Sequence, residues 1–319
     1  MCTAISHLGK RHYFGRNLDL EYAYTEQVVV TPRNFPLHFR CGLTVAHHYA
    51  MIGMATVSAG YPLYYEATNE KGLSIAALHF PDNAQYLPKV GNKTNIAPFE
   101  LIPWVLAQCE NGKQAKEMLE NLNVWHLPFS RAFPLTPMHW LIADREKAIV
   151  AEPMADGLHI YENPLGVLTN SPPFPYHMHR ISDFMHLQPG KPAMHLAGSA
   201  CQYYSNGMGA MGLPGDFSSV SRFVRAVYVK ENSITEDDDV SQFFHILGAV
   251  SMPRGSVYVG QHSEITRYSS CCDTGAGIYY YTSYTNSRIH GVNMRNCPLM
   301  GDQLFCYPLH TAEDIRLLN

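Results

Sequence analysis

Hydrophobic and polar positions change their period several times along the chain. Near the N-terminus, alternation predicts strands over 3–6 and 13–20, joined by a polar turn at Gly9-Lys10. Strand character continues over 27–32 and 49–57, and the apolar run 73–80 suits a buried strand. The spacing then becomes helical. A helix is expected over 98–109, with Pro103 in its first turns or at a kink. A second is expected over 113–122, where Ala115, Met118, Leu119 and Leu122 share a face. Strands resume over 139–144, 148–152 and 158–161, the last two separated by the turn Met154-Ala155-Asp156-Gly157.

After Asn170 come a Pro- and His-rich stretch and the Gly-rich NGMGAMGLPGD. Ser218-Ser219 then read as the N-cap of a helix running SVSRFVRAVYVK, and 239–250 as another helix. The segment 265–294 alternates like paired strands, with GIYYYTSY the clearest part. Strands at both ends with helices between predict an α+β fold with mixed or antiparallel sheets. No repeat or linker divides the chain, so a single domain over 1–319 is expected.

Composition narrows the function classes. The 319 residues are 46% hydrophobic and 16% charged, which is globular rather than disordered. Formal net charge is −4 and the basic residues are scattered, so nothing marks a nucleic-acid footprint. No basic amphipathic stretch points to a membrane surface, and no apolar run approaches the roughly 18 to 20 residues of a span. The opening MCTAISHLGKRHYFGRN lacks the pattern of a secretory leader, so a cytoplasmic protein is expected. Its eight cysteines (Cys2, Cys41, Cys109, Cys201, Cys271, Cys272, Cys297 and Cys306) are irregularly spaced and expected to be free thiols. Cys271 and Cys272 would face opposite sides of a strand, which argues against a redox pair. No metal is expected, because neither His47-His48 nor His177-Met178-His179 has supporting ligands at a known spacing. There is no dinucleotide or P-loop glycine motif, and the serines of GLPGDFSS do not form a GxSxG elbow.

One feature carries chemistry. Cys2 follows the initiator Met, and Met is removed before small residues. The exposed residue would carry a thiol and a free α-amine, whose ordinary pKa values of about 8.5 and about 8 are close. The amine can take the thiol proton and return it to a leaving amine, so one residue supplies nucleophile and general acid/base. Arg16 and Asp19 follow in GRNLDL, on a strand that can return beside the first. A guanidinium there favours thiolate and a carboxylate would orient the ammonium.

These residues sit in longer motifs: MCTAI, FGRNLD, NEKGLSIAALHF, VLTNSP, GLPGDFSSVSRFVRA, SQFFHILG, YSSCCD and GIYYYTSY. Together they resemble, nearly end to end, the choloylglycine hydrolase family of N-terminal-nucleophile hydrolases, which includes bile salt hydrolases and penicillin V acylases. The resemblance implies an αββα sandwich of two stacked antiparallel sheets, a homotetramer and no cofactor. It places the nucleophile on Cys2, the nearby arginine on Arg16 and the amine-binding aspartate on Asp19. The VLTN asparagine falls on Asn170, whose amide N–H suits an oxyanion hole. The SRF arginine falls on Arg222, expected with Arg16 to favour thiolate and anionic intermediates. Where relatives carry Asn or Tyr before Phe, ALHF has His79; an imidazole N–H can also donate to an oxyanion, with a dependence on pH.

Family pocket positions fall on Leu18, Phe129, Phe133 and Met138, all apolar. The implied reaction is cleavage of the amide in glycine- or taurine-conjugated bile salts. The alternatives are an acylase for penicillin V or another N-acyl compound, and a catalytically silent binding protein. Asn206 in Tyr204-Ser205-Asn206-Gly207 brings no charge for a sulfonate and leaves glycine versus taurine open. Arg225 is read as a solvated or interface residue.

Overall fold

The computed structural model describes residues 1–193, 202–234, 236 and 239–319, so Cys201 lies outside the described residues. Two antiparallel sheets are stacked. The first runs Val167–Leu168, Cys2–Leu8, His12–Leu20, His262–Asp273, Ile278–Ser283, Asn286–Asn293, with Val257–Val259 also pairing on His262–Asp273. The second runs Gly157–Glu162, Ala148–Met154, Met138–Ala143, Ser74–His79, Tyr61–Asn69, Met51–Ser58, Gln27–Thr31, Phe305–Pro308.

Helices cover the two outer faces. Leu101–Gln108 and Gly112–Glu120 pack on the second sheet, burying Leu101, Val105, Ala115 and Leu119 against Ile75, Trp140, Ile142 and Ile149. Ser219–Glu231 and Asp239–Gly248 pack on the first, through Phe223, Phe243, Ile246 and Leu247. Between the sheets lie Leu18, Val28, Ile52, Met54, Leu78 and Leu141. The αββα order follows from this alternation: each sheet is apolar on both faces, so each needs a cover on both.

Local chemistry explains the departures from the sequence reading. Residues 98–109 form a 3-10 turn, Pro98–Glu100, and then the helix Leu101–Gln108 without a break at Pro103. Pro103 sits in the first turn, where a backbone N–H has no intrahelical acceptor to lose. The next helix stops at Glu120, and Leu122 opens the short strand Leu122–Val124 instead. Ser218 caps its helix as expected, accepting the Ser221 N–H. The strand Tyr61–Asn69 was not legible, because Pro62 and the buried Glu66 interrupt its apolar pattern. Gly15 in FGRNLD is required by strand crowding: a Cβ there would lie 1.9 Å from the Ser270 carbonyl oxygen.

Candidate active site

Strand alternation divides the site between two faces of the first sheet. Cys2 is the Cα partner of Leu18, Thr3 of Asn17 and Ala4 of Arg16. Partners across a ladder share a face and successive residues alternate. Cys2, Leu18 and Arg16 therefore point between the sheets. Thr3, Asn17 and Asp19 point toward the helices, where Asn17 Nδ2 donates to the Leu247 carbonyl at 2.9 Å.

Arg222, from the helix Ser219–Glu231, is fully buried on that helix side. Its Nη1 donates to the Cys2 carbonyl and to Thr3 Oγ1, both at 2.6 Å, and its Nη2 to Asn170 Oδ1 at 2.7 Å. Its Nε donates to the Phe217 carbonyl at 3.0 Å. These bonds tie Arg222 to the backbone of Cys2 and to Thr3, while its charge acts on the Cys2 thiol through space, because the Cys2 side chain leaves on the opposite face.

Asn170 is reached just after Val167–Leu168, the edge strand beside Cys2–Leu8. Its Oδ1 accepts the Cys2 N–H at 2.8 Å as well as Arg222, and its Nδ2 donates to the His79 carbonyl at 2.6 Å. Two donors on one side and an acceptor on the other fix which way the amide lies. One Nδ2 hydrogen is left over. The backbone is held too: the Asn170 N–H donates to Ser219 Oγ at 2.8 Å, and His177 Nε2 donates to the Asn170 carbonyl at 2.9 Å. A second buried imidazole, His139, bridges Glu152 Oε1 and the Thr169 carbonyl at 3.0 Å each.

Between the sheets, Arg16 is fully buried. Nη1 donates to the carbonyls of Ala77 and Tyr65 and lies 3.8 Å from Glu66 Oε2, while Nη2 has no hydrogen-bond partner. Burial works against the Arg16 charge, but Cys2, Tyr268, Glu66 and Asp19 outweigh it and raise its pKa. Glu66 is held by Tyr268 Oη at 2.8 Å, Ser270 Oγ at 3.0 Å and the Tyr279 hydroxyl. Burial pushes its pKa up, against the pull of Arg16 and these hydroxyls.

Asp19 is likewise buried. Thr266 Oγ1 donates to its Oδ1 at 2.6 Å, whereas Oδ2 has no partner and lies 4.0 Å from Arg222 Nη1. Burial raises the Asp19 pKa, opposed by Arg222, the chain's ammonium and Thr266. The Met1 ammonium donates to the Asp19 carbonyl at 2.9 Å and forms an ion pair with the buried Glu264. Burial lowers the pKa of that amine.

Cys2, Arg16, Leu18, Asp19, Asn170, Arg222 and the backbone of His79 thus come together. The imidazole of His79 does not join them: it forms no hydrogen bond among the described residues, and burial lowers its pKa, so it is neutral near pH 7. Its main chain is what matters. Phe80 donates to the Pro137 carbonyl at 2.8 Å, so ladder alternation turns the His79 N–H and C=O to the other edge, toward Asn170. Phe129 and Phe133 lie in a separate aromatic group with Phe99 and Tyr61, at ring distances of 5.2–6.0 Å. Met138 is the Cα partner of His79 and packs with the core under the helices of the second sheet.

Sequence reading missed Glu66, Glu264, Thr266, Ser219 and the His139–Glu152 pair. Each is a polar residue in an apolar strand or at a helix start. Arg225 is half-buried and donates to the carbonyls of Ala249, Pro214 and Asp216. Three of the four histidines in His47-His48 and His177-Met178-His179 have protein partners: His47 Nδ1 lies 2.7 Å from Asn34 Oδ1, His48 lies 2.8 Å from each of the Tyr49 and Phe35 carbonyls, and His177 donates to the Asn170 carbonyl.

Residues 2–307 match the family model of linear amide C–N hydrolases, choloylglycine hydrolase family. The chain belongs to that family. It is 46% identical to the bile salt hydrolase/transferase of Lactiplantibacillus plantarum, over 100% of both chains. It is 34% identical to the conjugated bile acid hydrolase of Lactobacillus gasseri, covering 96% of this chain and 100% of that one. The crystal structure of a mutant conjugated bile acid hydrolase from Clostridium perfringens superposes with a TM-score of 0.93 at 35% identity, over 100% of both chains. The penicillin V acylase of Agrobacterium tumefaciens shares the fold, with a TM-score of 0.74 at 18% identity over 96% of this chain and 90% of that one. This choloylglycine hydrolase member accordingly has the stacked-sheet fold expected of an N-terminal-nucleophile hydrolase.

Proposed function

We propose that this chain, a single domain over 1–319 trimmed of Met1, hydrolyses the amide of glycine- or taurine-conjugated bile acids with Cys2 as nucleophile. The observation that carries the reading is the buried Asp19 Oδ2, which lacks a hydrogen-bond partner; Asp19 follows Leu18, the ladder partner of Cys2, whose nitrogen is already placed on Asn170 Oδ1. Freed of Met1, that nitrogen becomes an ammonium with more hydrogens than Asn170 can take. Asp19 offers the missing acceptor.

The geometry supports a sequence of steps. The α-amine takes the Cys2 thiol proton, directly or through water, and Sγ attacks the amide carbon from the space between the sheets. Arg16 Nη2, buried and unpartnered, favours the thiolate and the anionic intermediate. The oxyanion takes the remaining Nδ2 hydrogen of Asn170 and the His79 backbone N–H. Collapse breaks the C–N bond, and the α-ammonium returns the proton to the departing glycine or taurine nitrogen. Water then attacks the thioester, giving up a proton to the α-amine, and releases the bile acid and the thiol.

On this reading Leu18, the ladder partner of Cys2, lines the steroid wall, while Phe129, Phe133 and Met138 are assigned to it on the family resemblance alone. No cofactor enters this scheme. Seven free cysteines among the described residues support a reducing, cytoplasmic setting. Exposed Tyr176, Met185, Tyr204 and Met211 favour assembly as a homotetramer through the 171–221 region.

Two measurements on the purified protein test the proposal. N-terminal sequencing is expected to begin at Cys2, and glycocholate and taurocholate to release free amino product, with Cys2→Ala inactive. Brisk release from penicillin V with no turnover of any bile salt would establish the acylase alternative. No turnover of either, with a thiol that resists alkylation, would indicate a silent binding protein.

A further inference from the structure

Met1 is seated as a ligand would be. Its ammonium donates to the Asp19 carbonyl at 2.9 Å and pairs with Glu264, while its own carbonyl accepts the Asp19 N–H at 3.1 Å. Removing Met1 strips the partner from each of these groups. With Met1 in place Asp19 is 0% exposed and Glu264 1% exposed, so whatever fills the vacated space must supply their partners. Glu264 Oε2 already has no partner, and it would then have none at Oε1. Buried polar groups left in that condition cost roughly 1–3 kcal/mol each, and more when charged.

We infer that the space vacated by Met1 is a subsite for a primary ammonium carrying an adjacent carbonyl, that is, an α-amino acid derivative. The inference rests on the proposed trimming of Met1. Three groups define the ligand. Glu264 and the Asp19 carbonyl take an ammonium, and the Asp19 N–H takes a carbonyl oxygen on the next carbon but one. Met1 is the template, since it presents that pair of groups at that spacing. Met1 is also 29% exposed, so the space opens to solvent and a small molecule can enter.

Charge points the same way. Around the Met1 amine stand Asp19, Glu21 and Glu264, with Arg222 as the opposing cation. Once the Cys2 amine is in the neutral form that accepts the thiol proton, the vacated space is bordered by three carboxyl groups, with Arg222 and, more remotely, Arg16 as the cations acting on Asp19. A further cation then improves the balance. The subsite lies one residue from the nitrogen that hands its proton to the leaving amine. An amino product or an incoming amine held there is therefore next to the reacting centre.

Calorimetry with L-methioninamide tests this on the Cys2→Ala protein, which keeps the small second residue that permits Met1 removal and lacks the thiol. Binding is expected for methioninamide and glycinamide and is expected to be lost for N-acetyl-L-methioninamide, which has no ammonium. Glu264→Gln in the same background is expected to weaken methioninamide about tenfold or more. A Cys2→Asn protein, shown by mass to retain Met1, is expected to bind none, because its own terminus fills the subsite. Equal binding by trimmed and Met1-retaining proteins, no effect of Glu264→Gln, or no binding to a correctly folded trimmed protein would each overturn the subsite. Wild-type protein that keeps Met1 in the mass spectrum would instead overturn the proposed nucleophile. The two failures are distinct.

Discussion

Arg222 Nη2 donates to Asn170 Oδ1 at 2.7 Å, and the same oxygen receives the Cys2 N–H at 2.8 Å. Nη1 of the same guanidinium reaches the Cys2 carbonyl. One planar fork thus sets both ends of the Cys2 peptide unit and the amide that would bind the oxyanion. A lysine there keeps the charge but supplies a single nitrogen without the fork. Arg222→Lys is expected to lower kcat/KM for glycocholate about 100-fold, near 2.7 kcal/mol, with secondary structure unchanged by circular dichroism. Activity within about threefold of wild type would show that the charge alone suffices.

His79 supplies its main chain to the site while its imidazole is unbonded and neutral near pH 7. A change of side chain should then leave the reaction largely intact at neutral pH. His79→Asn is expected to keep kcat at pH 7 within about threefold and to alter only the acid limb, on the acid side of the ordinary histidine range, because burial holds the imidazole pKa down. Steady-state rates from pH 4.5 to 8 measure this. A large loss at pH 7 would put the imidazole itself in contact with the reacting atoms.

Burial holds the pKa of both His12 and His177 down to about 4. His12 is wedged between Ser6 Oγ at 2.8 Å and Thr274 Oγ1 at 3.0 Å, far from the solvent that would stabilise its cation. Between about pH 6.5 and about 4 the unfolded chain binds these protons and the folded chain does not. Stability is therefore fully present above about pH 6.5 and falls as the pH drops through that window, by up to about 3 kcal/mol for each histidine. Urea unfolding at pH 7 and pH 4.5 is expected to show this loss, and His12→Gln to reduce it. An unchanged midpoint between the two pH values would contradict the burial account.

The fold class and most of the site were legible in the sequence for different reasons. The paired strands at the N-terminus follow from alternation, and they alone bring Arg16 and Asp19 beside Cys2. Asn170, Arg222 and His79 lie far off in sequence, and only the motifs around them, through family resemblance, connected them to the start. What stayed hidden was the support. Glu66 lies in a strand whose pattern Pro62 obscures, and the pairing of Arg16 with Glu66 is a contact between sheets that no periodicity encodes. Which atoms of Arg222 and His79 face the site was hidden too, since a residue type shows what a group can donate but not where each of its atoms points.

The placing of Cys2 and Asp19 on opposite faces of one sheet has an evolutionary consequence. In the proposed reaction, substitutions facing the gap between the sheets reshape the space that receives the acyl group, while those facing the helices alter the handling of protons. Each can vary with little disturbance of the other. On that reading, a lineage built on this scaffold can exchange one acyl specificity for another while keeping the same arrangement around Cys2.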